Sequence, residues 1–322
     1  MERTEGYKLS RARSRRVVVT GAAGLVGQNL VFRLKANGYT DIVAIDKHRA
    51  NSATLRELHP DIQVIEADLA VDEGWQKTVY GADAVVCGHA QIGGLDHDAF
   101  IANNVIATKR LVQAVKAANV RYLVHISSSV VNSTVVDWYA ESKKKQEKII
   151  LESGIRCAIL RPTLMFGWFD RKHLGWLVRF MKRTPIFPIP GHGRYMRQPL
   201  YVYDFCDVIV ACLERQLTGV YDISGLHHIA YLDLIRVIRN TLGLKTPLVK
   251  TPYWVFWMTL KAYSFLARNP PFTTHQLEAL VTPDVFDVIN WPEIFGVQAT
   301  PLDEALRQTF LHPKYSNVSL DF

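Results

Sequence analysis

From Arg16 onward the chain alternates short β-branched runs with longer segments whose apolar residues recur every three or four positions. Val17–Thr20, Ile42–Ile45, Ile62–Ile65, Ala84–Cys87, Tyr122–Ile126 and Ala158–Leu160 are apolar almost without a break, which predicts strands buried on both faces. Between them, stretches such as Leu25–Asn37 and Ala99–Asn119 carry helical periodicity. That alternation predicts an α/β fold built on a doubly wound parallel sheet. Beyond Phe166 the pattern loosens. Gly, Pro and aromatic residues cluster through Phe187–Gly191, followed by Asp204–Arg215, a strand at Val220–Ile223 and a helix from Tyr231.

Composition changes little in this picture. The 322 residues are 48% hydrophobic and 21% charged, as expected of a globular chain with one large or two modest cores. The net charge of +8 is half accounted for by residues 1–16, where Arg3, Lys8, Arg11, Arg13, Arg15 and Arg16 face only Glu2 and Glu5. A basic flexible arm over residues 1–15 is expected, ahead of a mildly basic body. No aromatic-basic repeat or zinc spacing follows it, so nucleic acid is not expected as a partner. The first sixteen residues lack the apolar run of a secretory signal. Cys87, Cys157, Cys206 and Cys212 lie in apolar stretches without C-x-x-C spacing, which suits buried thiols in a reducing compartment, and the cytoplasm is the expected location. His227 and His228 have no third ligand at metal-binding spacing, so no metal is expected.

Candidate chemistry begins at the first strand's end. Gly21-Ala22-Ala23-Gly24-Leu25-Val26-Gly27 follows a strand and opens a helix, the arrangement of a Rossmann dinucleotide fold. Glycines there permit a tight turn, a close backbone approach to a pyrophosphate and tight helix packing, while the helix N-terminus attracts the phosphate charge. Asp46 closes the second strand, where a carboxylate bonds the adenosine ribose hydroxyls. It favours NAD over NADP, because a 2′-phosphate would meet a like charge. Lys47, His48 and Arg49 follow at once, but such cations can turn to solvent at little cost.

A hydroxyl run, Ser127-Ser128-Ser129, ends the fifth strand, and Tyr139 and Lys143 follow four residues apart. On a helix that spacing places phenol and ammonium on one face. A neighbouring cation favours the phenolate, so the pair can pass a proton to or from an alcohol. The run Lys143-Lys144-Lys145 with Glu141 and Glu147 would also suit a solvated helix face.

Together these motifs resemble the extended branch of the short-chain dehydrogenase/reductase superfamily, the NAD-dependent epimerase/dehydratase family, over residues 16 to about 225. The resemblance implies a NAD-binding domain at 16–165 and a smaller C-terminal substrate domain at 166–322, part of 198–225 packing back on the first. It implies catalytic roles for Ser128, Tyr139 and Lys143, with Ser127 and Ser129 as competitors for the serine. Gly21, Ala23, Gly24, Leu25, Val26, Gly27 and Asp46 would hold the cofactor. So would Asp68 and Leu69 at the adenine, Ala90 beneath the dinucleotide, Asn104 near the active site, Tyr139, Lys143 at the nicotinamide ribose, and Pro162 in the segment flanking the nicotinamide. Arg197 is similar to the arginine that grips a substrate diphosphate. A homodimer is the expected assembly.

Two departures narrow the expectation. Ser128 and Tyr139 are separated by only ten residues, so the substrate-side loop is short, and Ser129-Val130 replaces the acidic pair of dehydratases, which disfavours water elimination. The expected activity is oxidoreduction or epimerisation at a secondary alcohol or ketone of a nucleotide-linked sugar. The alternatives are a 3β-hydroxysteroid-type or other lipidic alcohol dehydrogenase, and a non-catalytic binding subunit. The most apolar run, Pro252–Leu266, is too short to span a bilayer. It is expected to be a buried or substrate-covering helix, with an interfacial helix at a membrane surface as the alternative.

Overall fold

The computed structural model describes residues 13–133, 137–171, 173–266, 277, 280–281, 286–318 and 320–321. The expected basic arm lies outside these residues up to position 12; Arg13 already opens the first strand, earlier than the Val17 expected from hydrophobicity. In chain order the first half runs β1 (Arg13–Thr20), α1 (Leu25–Ala36), β2 (Tyr39–Asp46), α2 (Arg49–Leu58), β3 (Gln63–Glu66), β4 (Ala84–Cys87), α3 (His97–Phe100), a π-helical turn (Ile101–Ile106), α4 (Ala107–Ala117), β5 (Tyr122–Ile126), α5 (Trp138–Glu152) and β6 (Arg156–Pro162). There follow β7 (Met165–Phe166), α6 (Leu174–Arg183), β8 (Phe187–Pro190), β9 (Met196–Arg197), β10 (Leu200–Tyr201), α7 (Val202–Arg215), β11 (Gly219–Ile223), β12 (Ile229–Ala230), α8 (Tyr231–Thr241), β13 (Leu248–Thr251), α9 (Tyr253–Leu266), α10 (Trp291–Phe295) and α11 (Leu302–Leu311).

The strands expected from the apolar runs pair in parallel in the order β11-β6-β5-β4-β1-β2-β3. Their β-branched residues are covered on both faces. One face packs Leu30, Val31 and Leu34 of α1 with Phe205, Val208, Ile209 and Cys212 of α7. The opposite face packs Trp75, Val79, Leu111, Val115 and Ile150. The strand order turns back between β1 and β4, and the carboxyl ends of the strands at that point are where a doubly wound sheet holds its ligand.

Between β10 and β11 the chain returns to this sheet. Asp207 of α7 accepts a 2.6 Å hydrogen bond from Nε of Arg33 on α1, and β11 pairs with β6 as the outer strand. The other strands of the C-terminal part form three two-stranded sheets among the described residues, β10–β7, β12–β9 and β13–β8. They surround a separate apolar cluster that includes Phe166, Val178, Met181, Phe187, Ile189, Tyr231, Ile235 and Leu306.

Two expectations require correction. The Ala99–Asn119 stretch is not one regular helix, because Ile101–Ile106 widens to a π turn before α4 begins. The apolar run at α9 forms its helix but is not buried: of the ten residues whose exposure is described, Tyr253 to Ala262, none is enclosed. Its apolar residues are spread around the helix instead of forming a stripe, so packing on one side leaves others in water.

Candidate active site

The glycine turn between β1 and α1 is shaped by steric demand. Gly21 has φ +68°, and a Cβ there would lie 2.5 Å from the carbonyl oxygen of Gly88 at the end of β4. A Cβ on Gly27 would lie 2.4 Å from Ala22 Cα, so α1 packs against the turn at a distance only glycine allows. Gly24 differs: a Cβ there would meet only Gly21 O, at 3.5 Å, and its outer side is open. Gly24 is also the residue before α1, whose first amides, at Leu25 and Val26, have no acceptor within the helix and no acidic neighbour in the first turn. An open backbone edge on a positive helix end fits a dinucleotide pyrophosphate.

Asp46 stands at the end of β2 as expected, but it is tied to the turn itself. Its carboxylate accepts from Ala23 N and from His48 N, both at 2.9 Å. Of the cations that follow, Lys47 is exposed, and its Nζ donates to Asp68 Oδ2 at 3.2 Å and to Asn103 Oδ1 at 2.6 Å, linking the end of β2 to the π turn. Asp68 also accepts from Ala70 N, which fixes the segment that buries Leu69. The His48 ring nitrogen accepts from Asn51 N and caps α2, whereas Arg49 is exposed.

The serine run separates cleanly. Ser127 and Ser129 are buried, whereas Ser128 is half-buried and precedes a short 3-10 turn, where its hydroxyl accepts from Val130 N at 3.4 Å and lies close enough to the Tyr139 phenol to lower its pKa. Tyr139 lies in the first turn of α5, which starts there because Asp137 caps it by accepting from Ala140 N at 2.6 Å. Burial raises the phenol pKa, the Ser128 hydroxyl lowers it, and the Asp137 carboxylate raises it. At neutral pH Tyr139 therefore holds its proton. Residues 134–136, between the two groups, lie outside the described residues.

Lys143 is fully buried one turn along α5, and its Nζ donates to the carbonyl oxygen of Ile126 at 2.8 Å, beneath the end of β5. Burial drives its pKa down to about 8. Phenol and ammonium share a helix face as expected, yet the ammonium is anchored to the strand.

A buried polar layer lies behind these groups, and sequence reasoning did not find it. His89 joins Thr20 Oγ1 at 2.8 Å to Thr108 Oγ1 at 3.1 Å, and Gln146 Nε2 donates to the same Thr108 hydroxyl at 2.8 Å. Burial pushes the His89 imidazole down to about 3, so it is neutral. Asn104, enclosed in the π turn, accepts from Gln91 N at 2.6 Å and donates to Ser142 Oγ at 2.8 Å, locking the segment that carries Ala90 against α5. Glu147, read above as compatible with a solvated face, is buried and takes two bonds from Arg161, at 2.9 and 2.7 Å. The spacing offered a signal: Gln146 and Glu147 stand three and four residues beyond Lys143, on the face that Lys143 turns inward.

Pro162 closes β6 and is buried. Arg197, on β9, is half-buried with its guanidinium 5.7 Å from the centre of the Tyr195 ring. Trp138, beside Tyr139, is 46% exposed and packs edge-on against His97 and Phe100, while Ile92 and Leu95 are exposed in the loop leading to His97. Among the described residues no three His, Cys, Asp or Glu side chains are grouped to hold a metal, and no helix is long and apolar enough to cross a membrane. Cys87, Cys206 and Cys212 are buried free thiols, with Cys157 half-buried.

The comparisons agree with this architecture. The NAD dependent epimerase/dehydratase family matches residues 17–224. A ceramide reductase of Caulobacter vibrioides is 23% identical over 73% of this chain and 73% of its own. A decarboxylating sterol-4-alpha-carboxylate 3-dehydrogenase of Mus musculus is 22% identical over 92% of this chain and 91% of its own. Among solved structures, the UDP-glucuronic acid 4-epimerase of Bacillus cereus in complex with NAD superposes with a TM-score of 0.68, at 22% identity, covering 92% of this chain and 97% of that one.

Proposed function

The chain belongs to the NAD dependent epimerase/dehydratase family, and from that membership we propose that it is an oxidoreductase acting on a secondary alcohol or ketone of a lipidic substrate. The observation that carries the chemistry is the Ser128 hydroxyl beside the Tyr139 phenol, one helical turn from buried Lys143. Ser128 holds the reacting oxygen, and Tyr139, protonated at neutral pH, donates to that oxygen as a ketone is reduced. Lys143 fixes the strand end and presents its charge from below. The dinucleotide, held at Gly21–Gly27 and Asp46 with NAD preferred to NADP, supplies or accepts the hydride when bound. Asp68, Leu69, Ala90, Asn104 and Pro162 line its course, and residues 166–322 supply the substrate side.

The lipidic class is supported by the exposed apolar side chains Ile92, Leu95 and Trp138 near Tyr139 in the fold and by the names of the two relatives. A nucleotide-linked sugar is the second reading, favoured by half-buried Arg197 and by the fold shared with the UDP-sugar epimerase. A direct test mixes the protein and reduced cofactor with ketosteroids, long-chain keto lipids or nucleotide keto-sugars and follows nicotinamide absorbance. Oxidation driven by the first two classes is expected; oxidation driven only by a nucleotide keto-sugar would move the assignment to the second reading.

A further inference from the structure

The helix α9 is without parallel among the described elements. Its sequence Tyr253-Trp254-Val255-Phe256-Trp257-Met258-Thr259-Leu260-Lys261-Ala262 is the chain's most apolar, yet none of these residues is buried. Trp254 is 68% and Met258 57% exposed, and at four residues apart they form one outward ridge. Lys261 continues the same face, with its Nζ 4.6 Å from the centre of the Trp257 ring. A soluble globule rarely leaves so much contiguous apolar surface in water, so the ridge calls for an occupant.

The surrounding charge selects among occupants. From Leu242 to Leu277 the chain contains no Asp or Glu, whereas Lys245 and Lys250 are exposed just before the helix and Lys261 lies within it. Tyr and Trp combined with lysine are the residues that settle at a bilayer's headgroup level, apolar body inward and polar or charged end outward. The 14 residues of α9 cannot cross a membrane, but they can lie along its surface. A second copy of this chain would bring the same lysines against themselves, whereas an anionic headgroup layer neutralises them.

We propose that α9 docks this protein onto the surface of an anionic lipid bilayer, Trp254 and Met258 entering the acyl boundary while Lys250 and Lys261 meet lipid phosphates. Docking there brings the enzyme to a bilayer-resident substrate. That purpose rests on the lipidic reading above, but the binding itself does not.

The test is co-sedimentation of the full chain with phosphatidylcholine vesicles, with and without about a third phosphatidylglycerol, in parallel with sedimentation velocity without lipid. Wild type should partition to the anionic vesicles at least tenfold more strongly than to the neutral ones, since each lysine near an anionic surface contributes about 1 kcal/mol. Trp254→Ser/Met258→Ser should lower that partition about tenfold or more, with cofactor affinity and circular dichroism unchanged. Lys250→Glu/Lys261→Glu should lower the preference for anionic lipid about tenfold, the basic residues 1–16 being unchanged. Wild type remaining in the supernatant, or a Trp254→Ser/Met258→Ser protein that binds equally well, overturns the proposal. So does a wild-type dimer that this variant dissociates, which would make a second copy the occupant. Vesicle binding is read without turnover, so its loss or persistence is independent of whether the lipidic substrate class is right.

Discussion

At the residue scale, Asp46 shows how one side chain can carry two duties. The carboxylate that would select NAD by bonding the ribose also fastens the glycine turn through Ala23 N and links it to His48 N. Asp46→Ala should therefore weaken both cofactors, because two backbone donors lose their acceptor, a loss of about 1–3 kcal/mol. It should weaken NAD more than NADP, since the like charge facing a 2′-phosphate is also gone. Titrating both cofactors by nicotinamide fluorescence checks this, and equal affinities in wild type and variant would contradict both duties. The position of Asp46 was legible in the sequence because strand, turn and acid come in fixed order. Its bonds to the turn were not, nor was the Lys47–Asp68 pair, because both depend on how two strand ends meet in space.

At the element scale, the first strand-turn-helix and α5 carry most of what a reader of the sequence could recover. Their spacing rules are local: glycine where a Cβ has no room, an aspartate cap before Trp138, and two side chains four apart on a helix. Gly27→Ala is expected to be severe, because a Cβ only 2.4 Å from Ala22 Cα cannot be accommodated unless α1 moves off the turn. A loss of about 1–3 kcal/mol, typical of overpacking, should appear as a lower urea midpoint with weakened NAD binding. Gly24→Ala, facing open space, should leave the midpoint nearly unchanged. Equal midpoints for the two variants would contradict the packing account. The π turn at Ile101–Ile106 was hidden, since its apolar pattern resembles an ordinary helix and its cause is the bonding of Asn104 to Gln91 and Ser142 across the fold.

At the scale of the whole molecule, the parallel sheet was legible because strands buried on both faces announce themselves as unbroken apolar runs. In the C-terminal part α7, β11 and α8 were legible, whereas β7 to β10 and β12, only two to four residues long, and the exposure of α9 were not. Burial also leaves an acid-side signature. His59, His89 and His125 are held below their ordinary value, His59 at about 4 and His89 at about 3, chiefly by burial, with Lys143 adding to the effect on His89 and His125. A lowered folded-state pKa means the unfolded chain binds the proton first, so that stability is full above about pH 6.5 and falls as the pH drops. Asp204, pushed up to about 6 by burial, and Asp207, also raised, act in the opposite sense. The histidine effect is therefore best isolated by substitution. Between about pH 6.5 and 4, His59→Gln should flatten the fall of stability by up to one proton, about 1.4 kcal/mol per pH unit. Parallel urea midpoints across that range for wild type and variant would contradict it.

The central claim is that Tyr139 moves the proton while the rest of the site holds cofactor and substrate. It is tested most directly by Tyr139→Phe, comparing NAD affinity by fluorescence titration with the single-turnover rate of hydride transfer to an active ketone. The substitution keeps the ring and removes the hydroxyl beside Ser128. Affinity should stay within a few-fold of wild type while the rate falls about a hundredfold or more, the usual contribution of a positioned general acid. An unchanged rate with cofactor bound would contradict the claim.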